Sequence, residues 1–362
     1  MMKSIKETVT SFESLYDATQ KCKHNIMWKD SAAGFVKNGL VNCCLLKDEL
    51  RNGKYKIGKY TIFTITEPKR RTIISTKIKD RVFQRSLCEN YLTETITRHF
   101  IYDNCACQAG KGTDFARKRL KCHMQRHFRK HGLSGYVLQC DVHDFFGSTP
   151  HDIAYAAVKA RALDKWAQDE VKRIIDSYDQ GQDPTRGMGL GSQITQLVQL
   201  AVLDSLDHYI KERLRIKAYV RYADDFILIH EDKQYLQHCK AQIVSKLQAI
   251  GLEINERKTN IYKYAQGIKF LGFSFRPTAS GKIIMRFLPK KVSRERRRMK
   301  KLIQRYNDGY MSMHDVEECF KSWKAHATKG NSYKLIGNMN KYVSNLWRDS
   351  ECLNLYQHQT SS

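Results

Sequence analysis

Tyr222-Ala223-Asp224-Asp225 lies between apolar residues, with Val220 just before it and Phe226-Ile227-Leu228-Ile229 just after. That pattern predicts a strand, a tight acidic turn and a second strand. Ahead of the acids, Ile216, Ala218 and Val220 alternate with Lys217, Tyr219 and Arg221, which predicts an apolar and a polar face for the first strand. The two acids then fall at the hairpin tip. Aspartate is also common in turns for conformational reasons alone, so the pair by itself is as consistent with turn geometry as with chemistry.

A third acid shifts that balance. Gly135-Tyr136-Val137-Leu138-Gln139-Cys140 reads as a buried strand that delivers Asp141 at its end, ahead of Val142-His143-Asp144-Phe145-Phe146. Carboxylates brought together raise one another's pKa, so a cluster of Asp141, Asp224 and Asp225 implies bound cations. Ligands that are all oxygen point to magnesium, with manganese as a substitute. Two such ions roughly 3.5–4 Å apart activate an attacking hydroxyl and stabilise the leaving oxygen of an in-line phosphoryl displacement. Nucleotide addition to a primer 3′-OH is a reaction of that kind.

Five motifs follow one another in order: Asp141-x-x-Asp144-x-Phe146, Gly191-x-x-x-Thr195-Gln196, Tyr222-Ala223-Asp224-Asp225, Asn255-x-x-Lys258-Thr259 and Phe270-Leu271-Gly272-Phe273. This order resembles bacterial reverse transcriptases. The likeness extends upstream through Lys69-Arg70-Arg71-Thr72-Ile73 and Lys79-Asp80-Arg81-Val82-Phe83-Gln84, and downstream to Ser322-Trp323-Lys324-Ala325-His326.

The resemblance implies an α/β (α+β) right-hand polymerase. Its parts would be a helical lead-in over 1–58, fingers over 59–134, a palm over 135–275 with a finger insertion around 150–185, a helical thumb over 276–348 and a flexible tail over 349–362. It implies RNA-directed DNA synthesis from dNTPs on an RNA template and a DNA primer, with two Mg2+ ions. Asp141 and Asp224 would bridge both ions, Asp225 would support them, and the Val142 carbonyl would bind the triphosphate-bound ion. Asp144 would lie beside the incoming triphosphate. Phe146 would stand at the sugar gate, where a bulky ring clashes with a ribose 2′-OH; the competing reading makes Phe145 and Phe146 both core, with alternation turning only one inward. Lys258 would donate a proton to leaving pyrophosphate, against the alternative of plain surface charge. Phe270, Leu271 and Gly272 would position the primer end. Lys69 and Arg71, in a basic connection between strands at 60–66 and 72–75, would contact phosphates.

One motif departs from the commoner pattern. Many reverse transcriptases carry Gln-Gly and then Ser-Pro, whereas this chain has Leu190-Gly191 and then Thr195-Gln196. That pattern, with the run Leu203-Asp204-Ser205-Leu206-Asp207-His208-Tyr209-Ile210-Lys211-Glu212, resembles diversity-generating retroelement enzymes. Defence-associated bacterial reverse transcriptases share the aliphatic-Gly signature. An aliphatic side chain in place of an amide beside the nascent pair removes a hydrogen bond and predicts relaxed base discrimination. Diversification and antiphage defence with a noncoding RNA therefore both stand. An inactive RNA-binding scaffold fits less well, because the three acids and Lys258 are all retained.

Composition agrees with a nucleic-acid partner. The 362 residues include 63 Lys and Arg against 37 Asp and Glu, a formal charge of +26, which suits a polyanion. The cations concentrate in 286–305, where Lys290, Lys291, Arg294, Arg297, Arg298 and Lys301 lie on a predicted helix with Glu295 as its single acid. Such density predicts gripping of the backbone and strong salt dependence. A structured noncoding RNA or an accessory protein is an expected partner; a membrane is not. The start lacks an apolar signal core and no apolar run is long enough to span a bilayer, which predicts a cytoplasmic protein. The eleven cysteines form no repeated C-x-x-C pairing and read as reduced, mostly buried thiols. Cys122, His123 and His127 have loose metal spacing, but their basic neighbours favour an RNA-facing helix.

Further elements follow from periodicity. Helices are predicted over 82–100, 115–128, 152–163, 164–178, 193–214 and 234–250, the last burying Leu236, Cys239, Ile243, Leu247 and Ile250 against the palm sheet. A strand is predicted at 252–255, and a strand pair at 270–275 and 282–287. Gly110-Lys111-Gly112-Thr113 lacks Walker A spacing and reads as a turn approaching template or nucleotide.

Overall fold

The computed structural model describes residues 3–24, 26–27, 29–66, 70–178, 183–189 and 191–359, with side chains described as far as Arg348. Lys69 and Leu190 lie outside these residues. The chain forms two compact units, one built from residues 1–119 and 138–261, the other from 120–137 and 262–362.

Nine strands occur among the described residues: β1 (Thr61–Ile65), β2 (Arg71–Ser75), β3 (Tyr136–Asp141), β4 (Ala218–Tyr222), β5 (Asp225–His230), β6 (Asn260–Lys263), β7 (Ile268–Phe270), β8 (Phe273–Pro277) and β9 (Ile283–Phe287). β1 and β2 form an antiparallel hairpin, and a four-stranded sheet runs in the order β4-β5-β3-β6. The third sheet, β7-β8-β9, is an antiparallel meander in the second unit, where a strand pair is expected from the sequence. The fold is thus a mixed helix–sheet architecture with antiparallel pairs.

In the first unit, the helices Ile5–Val9, Phe12–Cys22, Asp30–Lys37 and Gly39–Arg51 form the lead-in. Val9, Leu15, Leu46 and Leu50 are buried there, and Ser86 Oγ donates to the Val9 carbonyl at 2.7 Å from the helix Ile78–Leu87. That helix passes through a π-helical turn, Cys88–Leu92, into Thr93–Thr97, so the segment predicted over 82–100 starts four residues early and carries a bulge. The segment predicted over 193–214 likewise divides into Gln193–Val202, Asp204–His208 and a π-helical turn Tyr209–Arg213.

The helix Lys233–Gln248 starts where Asp232 accepts from the backbone of Gln234 at 2.7 Å and of Tyr235 at 3.3 Å, an N-cap that satisfies otherwise unpaired donors. It buries Leu236, Cys239, Ile243 and Leu247 and packs on β5, as its 3.6-residue period predicts.

Two expectations fail for physical reasons. β4 is not amphipathic: Tyr219, Val220 and Arg221 are all buried, because Asp207 supplies the countercharge that lets a guanidinium enter the core. Residues 252–255 form no strand, only a single bridge between Ile254 and Val142. The chain turns back at once, with both Lys258 N and Thr259 N donating to the Asn255 carbonyl, at 3.0 and 2.9 Å.

The outer edge of β4 is covered. Arg221 N donates to the Asp103 carbonyl and Cys105 N donates to the Arg221 carbonyl, both at 3.0 Å. Lys111 helps to hold this segment, its ammonium donating to the carbonyls of Tyr102 and Asn104 at 3.0 Å each. Burial lowers its pKa. The Lys111 turn thus braces this segment internally.

The basic helix runs from Thr113 to His131. Its His123 and His127 are buried, and His127 Nε2 lies 2.8 Å from the Ser134 carbonyl with its ring tilted on Tyr264. These two histidines therefore belong to the buried side of the helix. In the second unit, the helices Pro289–Asn307 and Met313–Ala327 precede Tyr333–Gln359, which runs through much of the stretch expected as a flexible tail. No helix among the described residues is long and apolar enough to cross a membrane.

Candidate active site

The β4–β5 hairpin closes with the pair Tyr222↔Asp225, leaving Ala223 and Asp224 as its two-residue loop. Ala223 has φ 56°, the left-handed region that disfavours a Cβ by roughly 1–2 kcal/mol. It is held there from below. The fully buried Arg221 donates from one guanidinium nitrogen to the Ala223 carbonyl at 2.9 Å, and its other nitrogens meet both carboxylate oxygens of Asp207 at 2.7 and 2.5 Å. Tyr219 donates its hydroxyl to the same carboxylate at 2.6 Å. The acidic turn therefore stands on a dry, fully engaged ion pair.

The end of β3 is tied to this turn and to the 253–255 segment by three backbone bonds. Val142 N donates to the Asp224 carbonyl at 3.3 Å, Asn255 N to the Asp141 carbonyl at 2.7 Å and His143 N to the Glu253 carbonyl at 2.8 Å. Lys258, carried on the turn after Asn255, places its Nζ 2.6 and 2.7 Å from the two oxygens of Asp141. A cavity of about 530 Å³ opens over this junction and is lined by Asp141, Val142, Asp224, Lys258, Asp144, Phe146 and Arg71, with Arg70, His143, Met188 and Asn255 also in its wall.

Burial is the main reason that the Asp224 carboxyl lies above its ordinary range, and Asp141 adds to it while Lys258 and Arg71 oppose it. Asp225 is pushed up to about 7, again chiefly by burial, with Asp224 and Asp141 contributing. It does not line the cavity: its Oδ1 accepts from Gln139 Nε2 at 3.3 Å on the neighbouring strand. Asp141 and Asp224 thus share the cavity and Asp225 sits behind them.

The donor set fits a hard divalent cation. It consists of carboxylate oxygens under mutual repulsion, and the cation now nearest is the Lys258 ammonium, held by the two Asp141 oxygens that an Mg2+ ion would use. No group of three His, Cys, Asp or Glu side chains is already gathered around one point among the described residues, so completing a coordination shell requires oxygens from backbone and substrate.

Phe145 and Phe146 lie in a short helical turn, Phe145–Ser148, not in an extended strand. Phe145 is buried and Phe146 is half-buried, and Phe146 lines the cavity. Asp144 precedes them at φ 38°. The glycine-rich segment packs close by. Met188 N donates to the Phe146 carbonyl at 2.7 Å, and a Cβ on Gly189 would fall 2.4 Å from the buried Tyr178 ring. Gly191, at φ 122°, lies along the backbone of β2. Thr195 is buried and bonds the Gly189 carbonyl at 2.8 Å.

The remaining candidates lie in the second unit. Leu271 and Gly272, at φ 45° and 90°, form the two-residue loop closed by Phe270↔Phe273, a combination of positive angles found in type I′ hairpins. A Cβ on Gly272 would meet Lys291 Nζ at 2.3 Å. On the Pro289–Asn307 helix, Lys290, Arg294, Arg297, Arg298 and Lys301 are exposed and Lys291 half-buried, opposite a buried face of Glu295, Met299 and Ile303.

Sequence reasoning missed Arg221 and Asp207 as supports of the turn, and His143, Met188 and Asn255 as cavity walls. The one available signal was the unbalanced Arg221 next to the acids.

A family model described as reverse transcriptase (RNA-dependent DNA polymerase) matches residues 63–275. No curated protein matches the chain. Among solved structures, the apo telomerase of Candida tropicalis truncated from its C-terminal domain aligns at 13% identity and TM-score 0.46, covering 68% of this chain and 60% of that one. Telomerase of Candida albicans in complex with a TWJ fragment of telomeric RNA aligns at 12% identity and TM-score 0.47, covering 87% and 65%. The chain therefore spans less than two thirds of the length of either.

Proposed function

The chain belongs to the reverse transcriptase (RNA-dependent DNA polymerase) family, and from that premise we propose that it extends a DNA primer on an RNA template by nucleotidyl transfer from dNTPs. The supporting observation is the convergence of Asp141 and Asp224 with Lys258, Asp144, Phe146 and Arg71 on one cavity. In this reading 59–134 are fingers, 135–275 palm and 276–348 thumb.

Two Mg2+ ions, when bound, would activate the primer 3′-OH and offset charge on the leaving pyrophosphate. Asp141 and Asp224 would hold them, with Asp225 in support. Val142 would add its carbonyl: its N–H already bonds the Asp224 carbonyl, and in a strand the N–H and C=O of one residue face the same edge. Arg71, with Lys69, binds the triphosphate, and Asp144 lies beside it. Phe146 excludes a ribose 2′-OH at the sugar, with Leu190 and Gly191 against the nascent pair. Lys258 Nζ delivers a proton to the leaving oxygen; its pairing with Asp141 holds it at the cavity until substrate arrives. Phe270, Leu271 and Gly272 position the primer end, and the cations Lys290, Lys291, Arg294, Arg297, Arg298 and Lys301 hold the backbone.

The biological setting we favour is a bacterial retroelement of the diversity-generating type, on the strength of Leu190-Gly191 and Thr195-Gln196. The same aliphatic-Gly signature supports a second reading, antiphage defence with a noncoding RNA. A near-repeat beside the gene that differs at adenines identifies the first; an adjacent noncoding RNA without such a repeat identifies the second.

The test of the chemistry is primer extension on an RNA template with Mg2+, comparing the wild type with Asp224→Asn. The expected outcome is extension by the wild type and loss of at least about two orders of magnitude in the variant, the scale on which removal of one charge-stabilising group acts. Equal product from both proteins overturns the assignment.

A further inference from the structure

The second unit contains a cavity lined by none of the residues assigned above to polymerase chemistry. Between the Met313–Ala327 and Tyr333–Gln359 helices, the chain is fastened to β9. Asn331 N donates to the Met285 carbonyl at 2.6 Å, and Met285 N donates back to Asn331 Oδ1 at 2.9 Å. Ser332 then caps the long helix through its carbonyl, which accepts from Ile336 N at 2.9 Å.

A serine at this position ordinarily turns its hydroxyl onto a backbone N–H of the first turn. Ser332 does not. Its Oγ is buried, with the residue only 4% exposed, and has no hydrogen-bond partner. A buried polar atom left unsatisfied costs on the order of 1–3 kcal/mol, a cost that a ligand hydrogen-bonded there would offset.

Ser332 lines a cavity of about 960 Å³ whose wall carries Arg286, Arg296 and Lys334 and, among the described residues, no acidic side chain. The first turn of the Pro289–Asn307 helix forms another wall. Two helix N-termini, each the positive end of a dipole, thus border one space. Arg296 is steadied over the Tyr342 ring at 5.3 Å. At the rim stands Tyr333, 92% exposed, an aromatic ring with no packing role of its own.

We propose that this cavity binds one nucleotide of a single-stranded nucleic acid. The phosphate is received by Ser332 Oγ and the backbone N–H groups of the Tyr333–Gln359 helix, with Arg286, Arg296 and Lys334 around it, and the base stacks on Tyr333. Stacking tolerates any base, so the site grips strand without reading sequence. It is separate from the exposed cations assigned above to backbone binding, and it rests on the family only for the choice of a nucleic acid as the anion.

The experiment uses the full-length protein and a fluorescein-labelled oligouridylate, with oligothymidylate as a second arm, read by anisotropy at fixed salt. Tyr333→Ala and Lys334→Gln are each expected to weaken binding about tenfold, and Ser332→Ala to weaken it in the same direction, all with an unchanged Tm. A 5-iodouracil oligonucleotide should cross-link to Tyr333 on irradiation, mapped by mass spectrometry. Loss confined to oligouridylate identifies RNA as the ligand; loss with both identifies any single strand. Unchanged affinity in both Tyr333→Ala and Ser332→Ala, or cross-links found only on residues that do not line this cavity, overturns the proposal. Binding is measured without dNTPs, so the two readings fail separately. A wild type that extends primers while Tyr333→Ala binds normally sinks only this site, and a wild type that binds the strand without extending primers sinks only the polymerase assignment.

Discussion

At Arg221 the molecule places a full positive charge where no water reaches it. Burial alone would favour loss of the guanidinium proton, but the Asp207 carboxylate outweighs it and keeps the group charged, with its pKa raised. Removing one partner of such a pair leaves the other uncompensated, which typically costs about 3–5 kcal/mol. Asp207→Ala should therefore lower the unfolding free energy by that amount in urea denaturation. Replacing the pair together, Asp207→Leu with Arg221→Met, should recover most of the stability, since apolar substitutes for buried pairs are often neutral or better. The double variant should nevertheless extend primers poorly, because Ala223 loses the donor that holds its strained carbonyl. A double variant as active as the wild type would show that the turn keeps its shape unaided.

Among elements, the glycine-rich segment before the Gln193–Val202 helix is fitted more tightly than its composition suggests. Tyr178 is buried and stacks on Tyr60 with centroids 4.8 Å apart, so it has no room to retreat from a Cβ on Gly189. Gly189→Ala should destabilise by about 1–3 kcal/mol, the cost of overpacking, seen as a lowered Tm, and should slow incorporation by displacing the segment that backs Phe146. An unchanged Tm would mean that Tyr178 yields. Elements of this kind differ in how far sequence reveals them. β3 and β5 were legible as largely apolar runs, the Lys233–Gln248 helix by its 3.6-residue period, and the β4–β5 hairpin by the acidic turn set between such runs. The pairing of Asp141 with Lys258 was not, since no period links residues 117 positions apart. Nor was the double burial of β4, which depends on an acid from a different helix. Phe145–Ser148 reads as strand because two aromatics after an acidic strand end look extended, yet the left-handed Asp144 turns the chain into a helical loop. The orphaned hydroxyl of Ser332 has no sequence signature, since a serine before a helix normally announces only a cap.

For the whole molecule, charge sets the terms of association. With a net +26, binding to nucleic acid should weaken linearly on a plot of log affinity against log salt, by about 0.9 per phosphate engaged on a duplex. Replacing Arg294 and Arg297 by Gln should flatten that slope by about one unit for each phosphate no longer neutralised, without changing sequence preference. A slope equal to that of the wild type would remove those side chains from the interface. Crowding along a polyanion also raises the local concentration of protein, and an open sheet edge is then a template for pairing between chains. Here Asp103 and Cys105 already occupy the outward N–H and C=O of Arg221. At that point β4 has no ladder positions left to offer, so many copies can be concentrated on one strand without this edge seeding an aggregate.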